Sequence, residues 1–418
     1  MRIIADFHIH SKYSRATSKD MDIPNLARWA KLKGIGLMGT GDFTHPLWLQ
    51  ELKAALKPSS SAGGLYEYDG VNFILTAEVC NIFSVAGKAR RIHNVIIAPS
   101  FEAVDKINKE LGYVGNLLAD GRPIFGLAAE ELVRIALSAS PDCMIIPGHV
   151  WTPYFGIFGA NTGFDSVEEC FGKEAKNIYC LETGLSSDPA MNWRLSKLDK
   201  YSLISNSDSH SPAKIGRECN IFDCKLSYKE IITALKAKDR TKFLSTVEFF
   251  PQEGKYHWDG HRLCDTRMPP VESKKNNYKC PKCGKPVTVG VESRVEKLAD
   301  RPEGFVPSNA IPFKSMIPFL EIIAEARAKA STSQAVADEY MSIVKRVGNE
   351  FSILFDIPEK ELKEALPGAI ADAVMRVREG KVHIAPGYDG VYGEIKIFGE
   401  DSPAGKKEKQ MELFPTGN

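Results

Sequence analysis

Histidines and carboxylates in this sequence collect at the ends of apolar runs. His8 and His10 lie at the end of the run 3–8. Asp42 and His45 follow the run 35–42, and Glu78 falls near the end of 72–80. His93 opens 92–98, His149 closes 143–149, and Asp208 and His210 follow 202–208. Six of the nine histidines take part; His383 lies outside the pattern and reads as structural. Imidazole nitrogens and carboxylate oxygens together suit zinc, manganese or iron(II). Nine candidate ligands exceed what one ion takes, so two or three ions sharing a bridging carboxylate fit better.

A second cluster follows. His257, His261 and Cys264 precede Cys280-Pro281-Lys282-Cys283-Gly284, whose Pro/Gly-rich bend lets two thiolates grip one ion. Cys264 and a histidine supply the other pair: His261 by the short spacing, with His257 as the alternative. Four protein ligands close a site, so this expects one structural zinc. It would stabilise a segment too polar to fold on its own core.

The elements that must position these residues are legible from periodicity. Residues 1–250 carry seven apolar, β-branched runs, the six above and 178–183. Helical patterns lie between most of them, at 23–33, 101–111, 127–138 and 191–199. Strand–helix alternation predicts α/β class, a parallel sheet and, with seven units, a closed β/α barrel whose C-terminal strand ends form one mouth. The stretch 251–306 is polar and holds the Cys/His cluster. Residues 307–400 predict helices over 312–330, 331–348 and two within 357–380, then a strand pair over 382–398. The polar residues 401–418 read as a disordered tail.

At 418 residues the chain has room for two or three domains. Hydrophobic residues make up 43% and charged residues 26%, which excludes a mainly disordered or collagen-like chain. No apolar run reaches membrane-spanning length and no signal-peptide core is present. Nine cysteines, an odd count, argue against a disulfide framework. The expected location is cytoplasmic, with no membrane partner. Lys+Arg 54 against Asp+Glu 53 leaves a net charge of +1, so a nucleic-acid role needs a local basic surface.

Asp6-Phe7-His8-Ile9-His10, Thr40-Gly41-Asp42, Glu78, His93, Gly148-His149 and Ser207-Asp208-Ser209-His210 resemble the motifs of the PHP superfamily over about residues 1–250. The resemblance implies a distorted (β/α)7 PHP barrel and a centre of two or three divalent metals (zinc, manganese or magnesium). It implies one metal on His8, His10, Glu78 and Asp208, with Glu78 bridging to a second on His93 and His149. Asp42 or His45 with His210 would hold a third. Members often have His directly after the second-motif Asp, displaced here to His45, and a further His where this chain has Ser14-Arg15-Ala16. The layout of Lys255–Arg262, Cys280–Gly284, Arg294–Arg301 and Pro386–Gly390, with the loop 149–155, is similar to the endonuclease Q family. That implies a DNA-repair nuclease nicking 5′ to a deaminated base (uracil, hypoxanthine, xanthine) or an abasic site, and a nucleoid-associated location.

Metal-assisted phosphoester hydrolysis needs no Ser or Cys nucleophile. His8, His10, Glu78 and Asp208 are then the catalytic set. Arg217 is placed to clamp a phosphate, with Arg15 and Lys12 as alternatives. Trp151, Tyr154 and Phe155, beside His149, are candidates to wedge or stack an extruded base. Arg90 and Arg91 are candidates for the DNA backbone, with the knuckle lysines a second basic surface. The tail 410–414 resembles the start of a sliding-clamp-binding peptide. Two other readings compete: a phosphatase of small phosphoesters, which leaves the knuckle idle, and a non-catalytic DNA-binding module.

Overall fold

The computed structural model describes residues 2–399. The expected tail 401–418, with its clamp-binding motif at 410–414, lies outside the described residues.

Local chemistry sets the elements. The helix Ile23–Lys33 starts where the Asp22 carboxylate accepts from the Asn25 N–H at 3.0 Å, and stops at Gly34, whose φ is 92°. Its Ile23, Leu26, Ala27 and Ala30, spaced three or four apart, are buried. Ala86 and Gly87 both have positive φ (49° and 76°) and make the two-residue turn of a long hairpin, Val71–Val85 with Lys88–Ala98.

That hairpin corrects the parallel sheet expected from the sequence. The central sheet is mixed. Arg2–Asp6 pairs parallel with Leu37–Gly39, which pairs parallel with Val71–Val85. Lys88–Ala98 then runs antiparallel to both Val71–Val85 and Met144–Pro147. On the other side Cys219–Asp223 and Phe243–Glu248 add antiparallel strands. The runs 72–80 and 92–98 read as separate units, but a two-residue turn leaves no room for the crossover that parallel pairing requires.

A two-stranded parallel sheet, Cys180–Glu182 with Ser202–Ile204, joins both flanks of this ladder. The Val150 N–H donates to the Glu182 carbonyl (3.0 Å) and the His10 N–H to the Ser209 carbonyl (2.9 Å). These hydrogen bonds reach the Met144–Pro147 flank and the Arg2–Asp6 strand, which three other strands separate in the ladder, so the sheet curls back on itself. Ala5, Leu37, Ile74, Val95, Met144 and Ile204 share one apolar cluster with the helix Tyr228–Ala237, and most other helices pack a larger cluster with the opposite strand faces.

The segment 312–330, expected to be helical throughout, splits. Phe313–Ser315 is a strand pairing parallel with Phe243–Glu248, and the helix Phe319–Ala326 begins only after Pro318. Prolines at 312 and 318 break the helical pattern, and an open sheet edge captures the residues between. Gln334–Val347, Glu359–Ala365 and Gly368–Arg378 follow as helices, and His383–Ala385 pairs with Glu394–Lys396. The helical region is locked to the first helix by Lys33 and Glu350, 2.9 Å apart and each 1% exposed, with the Tyr340 hydroxyl donating to Glu350. Among the described residues no helix is long and apolar enough to cross a membrane.

Candidate metal centre

His8, His10, His149 and Asp208 follow strand ends, whereas Glu78 and His93 lie inside the long hairpin strands, and unusual backbone shapes the mouth where they meet. Asp42 (φ 47°), His149 (φ 29°) and Asp208 (φ 45°) all sit in the left-handed region. Such conformations cost on the order of 1 kcal/mol each and persist where the surroundings enforce them. Gly41, with φ 62°, precedes Asp42; a Cβ there would stand 2.4 Å from the Ile9 carbonyl oxygen. Asp6 is buried and accepts from the Ser207 and Gly216 N–H groups, pinning the Asp208 loop beside His8 and His10.

Glu78 stands between two ligand groups. Its Oε2 lies 3.5 Å from His8 Nε2 and 3.2 Å from His10 Nε2. Asp208 Oδ1 completes this group, 3.7 Å from His8 Nε2 and 3.0 Å from His10 Nε2. The other oxygen, Oε1, lies 2.7 Å from His93 Nδ1 and 3.0 Å from His149 Nε2. Four ligands about 2.0 Å from a common ion are about 3.3 Å from one another, the spacing seen in the first group. His8 Nε2 is buried and makes no hydrogen bond among the described residues. Donor chemistry, spacing and this unpartnered nitrogen all fit a divalent metal.

The two acids of the centre are held as anions. Burial alone would raise the Glu78 carboxyl, but His93, Arg122 and His8 outweigh it and hold Glu78 well below the usual carboxylate range. Burial likewise opposes ionisation of Asp208, yet the hydrogen bond to His10 and the charges of His8 and His10 lower it strongly. Burial pushes His93 down to about 4. Burial also opposes the charge of His8, His10 and His149, but Glu182 and Glu78 around His8, Asp42 and Asp208 around His10 and Glu78 beside His149 outweigh it. They raise these three above the usual imidazole range, so a bound cation would have to displace their protons.

Two residues here escaped the sequence reading. Glu182, buried at the end of Cys180–Glu182, holds His8 Nδ1 at 3.0 Å and accepts from the His149 N–H and the Asn206 amide. Its position at a strand end was the available signal. Arg122 donates to Glu78 Oε2 at 3.0 Å from a polar loop, where nothing in the spacing marks it.

The residues expected to hold a third ion are not brought into a ligand group among the described residues. Asp42 is committed elsewhere: Oδ1 holds His10 Nδ1 at 3.0 Å, and Oδ2 accepts from the Ser11 N–H, the Ser11 hydroxyl and the Ser14 hydroxyl. It is an orienting carboxylate, and Ser14 occupies the region where a further histidine is common. The His45 ring stacks on Tyr13 at 4.4 Å, and His210 Nδ1 is 2.9 Å from the Asp208 carbonyl.

The DNA-contact candidates divide. Trp151 is 1% exposed, donates to Asn192 Oδ1 at 2.8 Å and packs on Phe158, so it is core and cannot stack a base. Arg90 is half-buried and turned back on the protein, donating to the Gly163 carbonyl and lying over the Phe164 ring. Phe155 is half-buried against His93, while Tyr154 and Arg91 are exposed. Arg217 donates to the Ser207 carbonyl at 2.8 Å. A cavity of about 390 Å³ opens on the centre, lined by His93, His149, Asp208, Arg122 and Arg15. It shares Thr152, Phe155, Leu185 and Ser186 with one of about 700 Å³, lined by Tyr154, Tyr256, Tyr392, Arg91, Lys214, Arg217 and Lys255.

Apart from this mouth, His261, Cys264, Cys280 and Cys283 bring one ligand atom each within 4.8 Å of one another. The Asp259–His261 and Thr266–Met268 hairpin supports them, and Gly284 (φ 73°) closes the Cys280–Cys283 turn. The hydrogen bond between the Thr266 hydroxyl and Cys280 pulls the Cys280 thiol down to about 6, while the hydrogen bond with Cys283 pushes the Cys264 thiol up to about 11. His257 lies outside this group, buried beside Glu292.

Residues 318–381 match the family model described as the MJ0043 C-terminal domain. Uncharacterized protein MJ0043 of Methanocaldococcus jannaschii is 32% identical over 257 residues, 59% of this chain and 31% of that protein, so the match spans about a third of that relative. Uncharacterized protein YqxK of Bacillus subtilis is 27% identical over 413 residues, 94% of this chain and 99% of that one. The crystal structure of the lesion-specific endonuclease PfuEndoQ from Pyrococcus furiosus superposes with a TM-score of 0.85 at 33% identity, covering 96% of each chain. An Endonuclease Q complex with a 27-mer duplex substrate, an abasic lesion at its active site, gives 0.83 at 34% identity over 96% of this chain and 98% of that one.

Proposed function

The chain belongs to the endonuclease Q family, and from that premise we propose that it is a DNA-repair endonuclease hydrolysing the phosphodiester 5′ to a deaminated base or an abasic site. Uracil, hypoxanthine and xanthine are the deaminated bases meant. In this reading residues 1–250 are a distorted PHP barrel, 251–306 a zinc knuckle and 307–400 a helical domain with a terminal strand pair. One observation carries the reading: Glu78 turns one oxygen to His8 and His10, which Asp208 also faces, and the other to His93 and His149, on a cavity that shares part of its wall with a larger one edged with cations and aromatic rings.

His8, His10, Glu78 and Asp208 would hold one divalent metal, and Glu78, His93 and His149 a second. Bound metals supply Lewis-acid stabilisation of phosphoryl charge and acidify a water toward neutral pH. The protein's own groups do the rest. Glu182 and Asp42 orient His8 and His10. Arg91, Lys214, Arg217 and Lys255 carry positive charge along the larger cavity, suited to the DNA backbone. Tyr154, Phe155 and Tyr256 offer ring faces to an extruded base. Cys80 lines the mouth, but burial pushes its thiol up to about 12, so it is not poised as a nucleophile.

The test is incubation with manganese, magnesium or zinc and with uracil, hypoxanthine, abasic-site and undamaged duplexes, beside p-nitrophenyl phosphate. Nicking confined to lesion DNA is expected. Turnover of only the small ester, or binding without turnover, overturns the reading.

A further inference from the structure

Arg122 lines the cavity that opens on the candidate metal centre. The strand Ile124–Phe125 pairs parallel with Val71–Val85, Cys80 opposite Ile124, so two residues earlier Arg122 runs beside Glu78. The Cys80 N–H donates to the Pro123 carbonyl at 3.0 Å and the Gly121 N–H to the Tyr13 carbonyl at 3.0 Å, which fixes the loop. Gly121 is pressed against Asp42: a Cβ there would lie 2.4 Å from Asp42 Oδ2. The guanidinium is therefore anchored to the same framework as the ligands.

Only part of it is used. Nη1 donates to Glu78 Oε2 at 3.0 Å, and among the described residues the guanidinium makes no other hydrogen bond. Of its five N–H donors most remain free. The side chain is 29% exposed and lines the mouth beside His93, His149 and Asp208. Glu78 is already shared between two ligand groups, so one donor suffices to support it. A planar fork with spare donors facing a cation-binding mouth matches a phosphate oxygen in shape and charge.

We propose that Arg122 is a catalytic residue that binds a non-bridging oxygen of the scissile phosphate with its free N–H groups while its Nη1 steadies Glu78. This rests on the nuclease reading above. Arg217 differs in place, lining only the larger cavity and suited to a phosphate further along the strand.

The experiment compares wild type, Arg122→Ala and Arg122→Lys, each loaded with Mn²⁺. Three measurements are made: Mn²⁺ stoichiometry and affinity by calorimetry, binding of inorganic phosphate to the loaded protein, and cleavage of an abasic-site duplex. Arg122→Ala should keep its Mn²⁺ stoichiometry, bind phosphate at least about tenfold more weakly, and cut at saturating DNA about 100-fold more slowly. Free guanidinium should restore part of the rate. Arg122→Lys, which keeps a charge near Glu78 but loses the fork, should show the same defects in smaller measure and guards against a folding failure of the alanine variant. Phosphate affinity equal to wild type overturns the proposal. So does a rate that excess Mn²⁺ alone restores, or one that guanidinium does not improve. If the wild-type protein binds phosphate but cuts no DNA, the nuclease reading fails while the phosphate measurement still reports on Arg122.

Discussion

Glu182 grips His8 from behind the metal centre: both its oxygens lie 3.0 Å from His8 Nδ1, so Nε2 is presented to Glu78 and Asp208. The same carboxylate accepts from the His149 N–H at 2.8 Å and from the Asn206 amide at 2.8 Å. One buried carboxyl group thus orients members of both candidate ligand groups. Glu182→Gln keeps the volume but replaces one acceptor with a donor that faces donors. The variant should fold and bind Mn²⁺ about 10- to 100-fold more weakly, the usual cost of losing a partner behind a ligand. Calorimetric titration checks this, and unchanged affinity would remove Glu182 from the centre.

Glu218 and Glu248 form the next testable feature. Cys219 pairs with Val247 in the antiparallel ladder, which sets these glutamates opposite each other, both fully buried. Burial pushes the Glu248 carboxyl up to about 8, against the hydrogen bonds from Thr246, Thr183 and Ser205. Burial and the charge of Glu248 raise Glu218 too. A carboxyl whose pKa is higher folded than unfolded stabilises the fold while protonated. That contribution is complete below about 4.5 and is lost as the pH rises through about 8. Glu248→Gln mimics the protonated acid at every pH. The thermal midpoint of wild type should therefore fall more steeply than that of Glu248→Gln between pH 6 and 9. Parallel curves would show that the pair holds no extra proton.

The Cys/His cluster has little core beneath it. Met268, Cys280 and Val287, with Cys264 against them, are its whole apolar cluster among the described residues. A structural ion held by the four ligand atoms would supply what burial does not. Cys283→Ser should increase amide exchange across 259–288 by orders of magnitude while the central sheet keeps its protection, read by hydrogen-exchange mass spectrometry. Unchanged exchange in that segment would deny the cluster a structural metal.

The residues brought into the two candidate ligand groups were legible because each lies at or near one terminus of an apolar run, His93 at the start of its own and the others at or just past the end, which a strand–helix alternation turns toward a common mouth. Arg122 was not, because its place beside Glu78 comes from parallel pairing across a 44-residue separation. The strand Phe313–Ser315 was hidden for a related reason: an open sheet edge, invisible in a local window, overrides a helical pattern already weakened by two prolines. Asp42 was read as a ligand because residue type and strand end say nothing about which side of a histidine a carboxylate occupies. Chain proximity to His149 likewise could not show which aromatics of the 151–158 loop turn inward.

That loop yields the sharpest contrast. Trp151 is buried, hydrogen-bonded to Asn192 and 5.0 Å from the Phe158 ring, whereas Tyr154 is 44% exposed on the larger cavity, with Tyr256 6.4 Å away. The Arg294 side chain ties the loop down, donating to the Phe158 and Phe164 carbonyls. Trp151→Ala leaves a cavity and an unpaired Asn192 Oδ1, and should cost about 3–5 kcal/mol in urea unfolding. Tyr154→Ala should change stability by no more than about 0.5 kcal/mol. In an Asp208→Asn background, which should bind DNA without cutting it, Tyr154→Ala should weaken binding of a uracil-containing duplex about tenfold, the scale of one lost base–aromatic stack. Undamaged duplex should be affected far less, and fluorescence anisotropy separates the two. Equal losses on both duplexes would make Tyr154 a general DNA contact and take the extruded base away from this ring.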